Sequence, residues 1–283
     1  MPLNAIRHIR KMRGGAQSHL VEADDGRFYV VKFRNNPQHR RVLINESIGS
    51  VFLRYLQISA PEVVVVSVGA EFLRSNPEVG IQLGSRTIQV EPGWHFGSRY
   101  PDHPERIAVY DFIPDALLKQ VTNLREFPGM LVFDKWTGNA DGRQSVFFRS
   151  RLKQWSPGGS VARTGFIAWM IDQGFIFNGP HWDFPDSPLQ GLYHRPLVYE
   201  SIASLDDFQP WLDLVLHFPE EVMDEAYRKI PLEWMEGEED ALEDMLETLV
   251  RRRSRVPDLL EDCRRAKPAL FPNWNGKGWF SGR

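Results

Sequence analysis

The sequence predicts an α+β protein of two lobes, a small β-rich N-terminal lobe carrying one main helix and a mostly helical C-terminal lobe. Three observations predict it. Short β-branched and aromatic runs crowd the first 112 residues, helical periodicity dominates after about Ser201, and the two regimes follow one another without alternating. Strands followed by helices argue against a doubly wound parallel sheet. We read residues 1–112 as the N-terminal lobe and 113–283 as the C-terminal lobe of one domain.

The bulk numbers fit that reading and exclude others. A chain of 283 residues with 42% hydrophobic and 12% aromatic content has ample material for a core. A net charge of −3 gives no support for general nucleic-acid or membrane-surface binding. The single cysteine, Cys263, excludes an internal disulfide and any multi-cysteine zinc site. The basic opening Met1–Arg13 lacks the apolar run of a signal peptide, and no segment approaches the roughly 18 apolar residues of a membrane span. A cytoplasmic location is expected.

Taken in order, residues 5–12 read as a strand or a short helix, followed by the flexible turn Arg13 to His19. Asp24-Asp25-Gly26 marks a hairpin, and Phe28-Tyr29-Val30-Val31-Lys32-Phe33 is a strand by its aromatic and β-branched content. Pro37 opens a helix expected to reach Gln57, with Glu46 in its middle. Val63–Val68 is a buried strand, the proline-rich 76–105 segment is expected to be irregular, and Arg106–Phe112 is a short strand. Helix is expected over 115–125 and 126–133, placing Asp134 to Asn139 in a loop. A hairpin is expected from 144–149 and 165–171 around the polar loop Ser156–Ser160. Residues 178–196 read as irregular, and helices are expected over 206–218, 219–228, 238–252 and 257–266. Glu233 to Glu247 and the arginines at 251–253 and 255 read as solvated helix surface.

Within this frame lies a set of residues with a common chemistry. Gly14-Gly15-Ala16-Gln17-Ser18 sits between two candidate strands, where a glycine pair lets backbone N–H groups approach phosphate oxygens and Gln17 and Ser18 add donors. Lys32, embedded in an apolar strand, needs an anionic partner; phosphate oxygens and Glu46 can supply it. Asp134 and Asn139 stand five residues apart, and Asp172 follows the apolar run Phe166–Ile171. Phosphoryl transfer from Mg-ATP uses such a set: an aspartate to orient the attacking hydroxyl, an amide oxygen on the metal, and a second aspartate bridging metal to phosphates. Each part alone is as well explained by turns, caps or solvated faces. Their order along the chain carries the reading.

On these residues the chain resembles the HipA-like branch of the protein-kinase-like fold. Gly15-Ala16-Gln17 resembles that family's nucleotide loop, Lys32 its ATP-binding lysine and Tyr110-Asp111-Phe112 its hinge. Asp134 resembles the catalytic aspartate, Asn139 the metal-binding asparagine and Asp172 the metal-binding aspartate. Val132-Phe133 precedes Asp134 where eukaryotic kinases carry His-Arg, and Gln173 replaces the phenylalanine of Asp-Phe-Gly. The resemblance implies ATP and Mg²⁺ as cofactors, a Ser or Thr hydroxyl of a protein as acceptor, and an antitoxin-like regulator as partner. A small-molecule kinase and a nucleotide-binding pseudokinase are the alternatives on the same scaffold.

Overall fold

Strand β3 (Phe28–Lys32) shows how the N-terminal lobe is built. Tyr29 and Val31 enter one apolar cluster while Phe28 and Val30 enter another, the period-two division of a strand with two covered faces. The computed structural model describes residues 1–151 and 164–274. The Ser156–Ser160 loop and the tail beyond Trp274 lie outside the described residues.

Strands β1 (Leu3–Lys11), β2 (His19–Ala23), β3, β7 (Gly93–Arg99) and β4 (Val63–Val68) form a closed barrel in the order β1-β2-β3-β7-β4. Parallel pairing of Leu3 with Val66 and Asn4 with Ser67 closes it. Val21, Tyr29, Val31, Phe33 and Val66 fill the interior. Strand β7 falls within the segment expected to be irregular, which also holds the hairpin β5 (Gly80–Leu83) and β6 (Arg86–Gln89); the short α2 (Ala70–Ser75) directly precedes it. Gly93, His95 and Gly97 hide β7 from a propensity reading. Gly97 is needed because a Cβ there would come 2.6 Å from Val66 Cγ2 on the neighbouring strand.

Helix α1 (Arg41–Tyr55) begins four residues after Pro37, because His39 adopts φ 79° and cannot continue a right-handed helix. It is buried from Val42 to Gly49, wedged between the barrel and the C-terminal lobe. Buried Asn45 fixes it there: its Nδ2 donates to the carbonyls of Gly174, Ile176 and Gly179, and its Oδ1 accepts from Trp182 Nε1.

Strand β8 is confined to Val109–Tyr110 and pairs with β9 (Gln144–Arg151), which pairs with β10 (Thr164–Ile171). Residues 100–108 link the end of β7 at Arg99 to β8. Helix α3 (Asp115–Leu118) is a single turn, and α4 (Glu126–Thr137) runs through Asp134 to Gly138. The stretch expected over 206–218 is split at Pro210 into a 3-10 turn, Leu205–Phe208, and α5 (Trp211–Leu216). Helices α6 (Glu220–Arg228), α8 (Glu239–Arg252) and α9 (Val256–Ala266) lie where periodicity put them, with the short α7 (Leu232–Met235) between.

Two surface expectations are corrected by packing. Glu233, Glu236 and Glu238 reach across to the N-terminal lobe and pair with Arg34, Arg40 and Arg41 respectively. Arg252 is buried, donating to the carbonyls of Lys135 and Trp136 at the end of α4 and to Asp186.

The barrel also encloses two neutral histidines. His95 Nδ1 accepts the Arg34 N–H at 3.0 Å and Nε2 faces the Glu91 carbonyl, which requires the proton on Nε2. Burial lowers its pKa to about 4, and burial followed by the neighbouring His8 lowers His19 to about 4. The unfolded chain therefore binds protons below the ordinary value of 6.5 that the folded chain refuses. Stability is full above that value and is lost as pH falls toward 4, by on the order of 3 kcal/mol per histidine at most. Urea denaturation should show the midpoint falling between pH 6.5 and 5, with a shallower fall in His95→Gln; identical slopes would remove His95 from the account.

Candidate active site

Lys32 lies on the outer side of the barrel, facing α1. Its Nζ donates to Glu46 Oε1 on α1 and, at 2.7 Å, to Asp172 Oδ1, which follows β10. Three elements far apart in sequence thus meet at one ammonium. Burial alone would lower the Lys32 pKa, but Glu46 and Asp172 outweigh it and hold the ammonium above its ordinary value. Lys32 also holds the Asp172 carboxyl below the usual range, against burial, whereas burial raises Glu46 against the pull of Lys32. The side chain of Asp172 is 26% exposed against 5% for Glu46, so Asp172 is the open member. It sits at φ 63°, a left-handed conformation that a residue other than glycine holds only when its surroundings impose it.

Asp134 and Asn139 do not reach this opening. Asp134 is fully buried inside α4 and accepts from Arg143 Nε at 2.9 Å, from Arg143 Nη2 and from Asn139 Nδ2 at 2.9 Å. Burial pushes its carboxyl up against the pull of Arg143. Asn139 is also fully buried and spends its Oδ1 on the Asp141 N–H. Arg143 completes the link by donating from Nη1 to the Ile171 carbonyl at 2.7 Å and to Gln173 Oε1 at 2.6 Å. Asp134 thus holds an arginine that holds the Asp172 loop. The loop 186–192 is seated on the same helix: Lys135 Nζ donates to the carbonyls of Ser187, Pro188 and Gln190. Gly191, at φ 68°, presses so close that a Cβ would overlap the Asp134 side chain.

The exposed polar groups of this stretch are Asp141 and Gln144. Gln144 stands directly opposite Ile171 in the β9–β10 ladder, next to Asp172, and its Nε2 lies 3.4 Å from Asp141 Oδ2. Sequence reasoning missed both, together with Arg143. One signal was present: the apolar run from Phe127 to Trp136 describes a helix buried all round, so a carboxylate within it must be paired internally.

The glycine turn joins β1 to β2, with Gly14 and Gly15 exposed and Ser18 buried. The Gln17 side chain is engaged elsewhere, donating to the Gln82 carbonyl at 2.7 Å and accepting the Gln82 N–H at 2.6 Å, while the Ala16 carbonyl accepts from Asn36. Tyr110, Asp111 and Phe112 are exposed, and Phe112 lies under Arg195. Two apolar clusters, one holding Leu20, Val30 and Tyr100 and the other Phe148, Ile167 and Trp169, are joined by Ile107 and Val109, which pack against both.

Among the described residues no group of three or more His, Cys, Asp or Glu side chains could hold a metal by itself. Asp172, Asp141 and Gln144 offer oxygen donors only, the donor set that suits a hard cation held jointly with phosphate oxygens and water.

A family model described as HipA-like kinase matches residues 6–147, just over half of the chain. No curated protein matches it. Among solved structures, a crystal structure of the Golgi casein kinase is similar at 14% identity and TM-score 0.53, covering 93% of this chain and 74% of its own. A crystal structure of the Golgi casein kinase with Mn/ADP bound is similar at 13% identity and TM-score 0.51, with the same coverage. These likenesses show a kinase-like fold.

The two aspartates should separate in a stability measurement. Asp134→Asn leaves Arg143 buried without its counter-charge and should cost about 3–5 kcal/mol in urea unfolding, while Asp141→Asn, at an exposed position, should stay within about 0.5 kcal/mol. Equal losses would contradict the division of roles.

Proposed function

The chain belongs to the HipA-like kinase family, and from that premise we propose that it transfers the γ-phosphoryl group of metal-bound ATP to a Ser or Thr hydroxyl of a protein. The observation that carries the reading is the single ammonium of Lys32 shared by Glu46 and Asp172. A polyanion entering beside that ammonium is drawn to Lys32, while Asp172 is left to meet a cation. Glu46 keeps Lys32 extended toward the opening.

Asp172 and the Gln144 carboxamide oxygen are the donors that would hold Mg²⁺, in place of Asn139, whose oxygen is already bonded. The ion, when bound, neutralises phosphate charge as it develops. Asp141, exposed and held by Asn139 and Gly191, accepts the proton of the acceptor hydroxyl. Asp134 acts through Arg143 and Asn139 as a positioning residue. Gly14 and Gly15 supply backbone N–H groups to phosphate, Ala16 and Ser18 shape the turn, and Gln17 steadies it. The base packs beside Leu20, Val30 and Tyr100, with Tyr110, Asp111 and Phe112 at its outer edge. The neighbour crystallised with Mn/ADP supports nucleotide and divalent-metal use, and its name, a casein kinase, supports a protein acceptor.

Incubation with γ-labelled ATP should label protein in a cell extract, and Asp141→Asn or Asp172→Asn should lower the rate at least about 100-fold. Wild-type rates in both variants would sink the assignment. Label confined to metabolites would move the acceptor to a small molecule.

A further inference from the structure

Behind α1 is a cavity of about 590 Å³ to which no residue of the glycine turn or of the Lys32 cluster contributes. Its size is that of a small-molecule site. Phe96, Trp169, Trp234 and Val65 give it an apolar, aromatic floor. On the α1 side, Ser47 and Ser50, one turn apart, line the space, and among the described residues neither hydroxyl has a hydrogen-bond partner. A helical serine facing an apolar cavity without a partner leaves a polar group open to a ligand.

The mouth is electropositive. Arg54 and Lys229 both line it and both reach the same oxygen, Oε1 of Glu225, so two cations share one carboxylate. Glu62 also lines the cavity, but Arg99 pairs with it at 3.1 Å. One positive charge is left over. A second cavity of about 570 Å³ shares Glu62, Val64, Val65 and Lys229 and continues past Trp94 to Tyr29, giving room for an elongated body.

We propose that this cavity is a second ligand site, separate from the nucleotide cleft, for a small amphipathic anion: a flat apolar body on the aromatic floor, polar atoms toward Ser47 and Ser50, and one carboxylate, sulfonate or phosphate between Arg54 and Lys229. Its position couples it to the catalytic cluster. Ser47 directly follows Glu46, and Phe96 stands opposite Lys32 in the β3–β7 ladder. An occupant therefore touches the helix and the strand that set the Lys32–Glu46 pair.

The probe is 8-anilinonaphthalene-1-sulfonate, which has this chemistry and fluoresces on entering an apolar site. Titrated into the full chain, it should give saturable one-site binding that saturating Mg-ADP does not displace. Ser50→Phe, which fills the cavity, should abolish that binding. Arg54→Glu should weaken it about fivefold to tenfold, the effect of losing one exposed charge contact and gaining a repulsion. Circular dichroism melting identifies which variants are folded, and Arg54→Glu decides the matter if Ser50→Phe is not. Absence of saturable binding, displacement by Mg-ADP, or wild-type affinity in a folded variant would overturn the proposal.

Discussion

A largely buried lysine cannot remain charged without partners, and Lys32 has two, which come from elements that share no local sequence. That demand fixes the relation of β3, α1 and the loop after β10. Removing one carboxylate leaves the others unbalanced in a poorly solvated place, so the three positions stand or fall together. The left-handed backbone at Asp172 is the local cost of bringing its carboxylate to the ammonium.

Helix α1 has little freedom to withdraw Glu46. On one side Asn45 ties it to the 174–182 turn with four hydrogen bonds. At its N-terminus, Arg40 and Arg41 meet Glu236 and Glu238 from the C-terminal lobe, and Trp234 Nε1 donates to the Trp94 carbonyl of β7. The acidic segment therefore joins the lobes at the back while Lys32 and Asp172 join them at the front. Arg143 extends the same logic into the C-terminal lobe, joining Asp134 to the Ile171 carbonyl, so that one network ties α4 to the strand end before Asp172.

Much of this was legible in the sequence. Lys32 stood out as a charge in an apolar strand, Asp172 as a carboxylate after one, and the strand-to-helix order announced the α+β architecture; the structure unites these with Glu46. What was hidden depended on distant contacts. Asp134 looked like a loop residue because Gly138 and Asn139 are turn formers, and only Asn139 lies beyond the helix. The helix continues to Thr137, and the destination of the Asp134 carboxylate is set by Arg143 and by the close approach of Gly191. Strand β7 was hidden because its glycine and histidine content reflects a neighbour, Val66, and not its own propensity. The glutamates at 233, 236 and 238 looked solvated because their arginine partners lie in the other lobe.

The account turns on Lys32 and Asp172 acting on opposite charges of one metal–nucleotide ligand. Calorimetric titration of ADP with and without Mg²⁺ tests this most directly. Asp172→Asn should erase the gain in ADP affinity that the metal gives, while Lys32→Met should weaken ADP in both conditions and keep the gain. A metal effect that survives in Asp172→Asn, or unchanged ADP affinity in Lys32→Met, would contradict it.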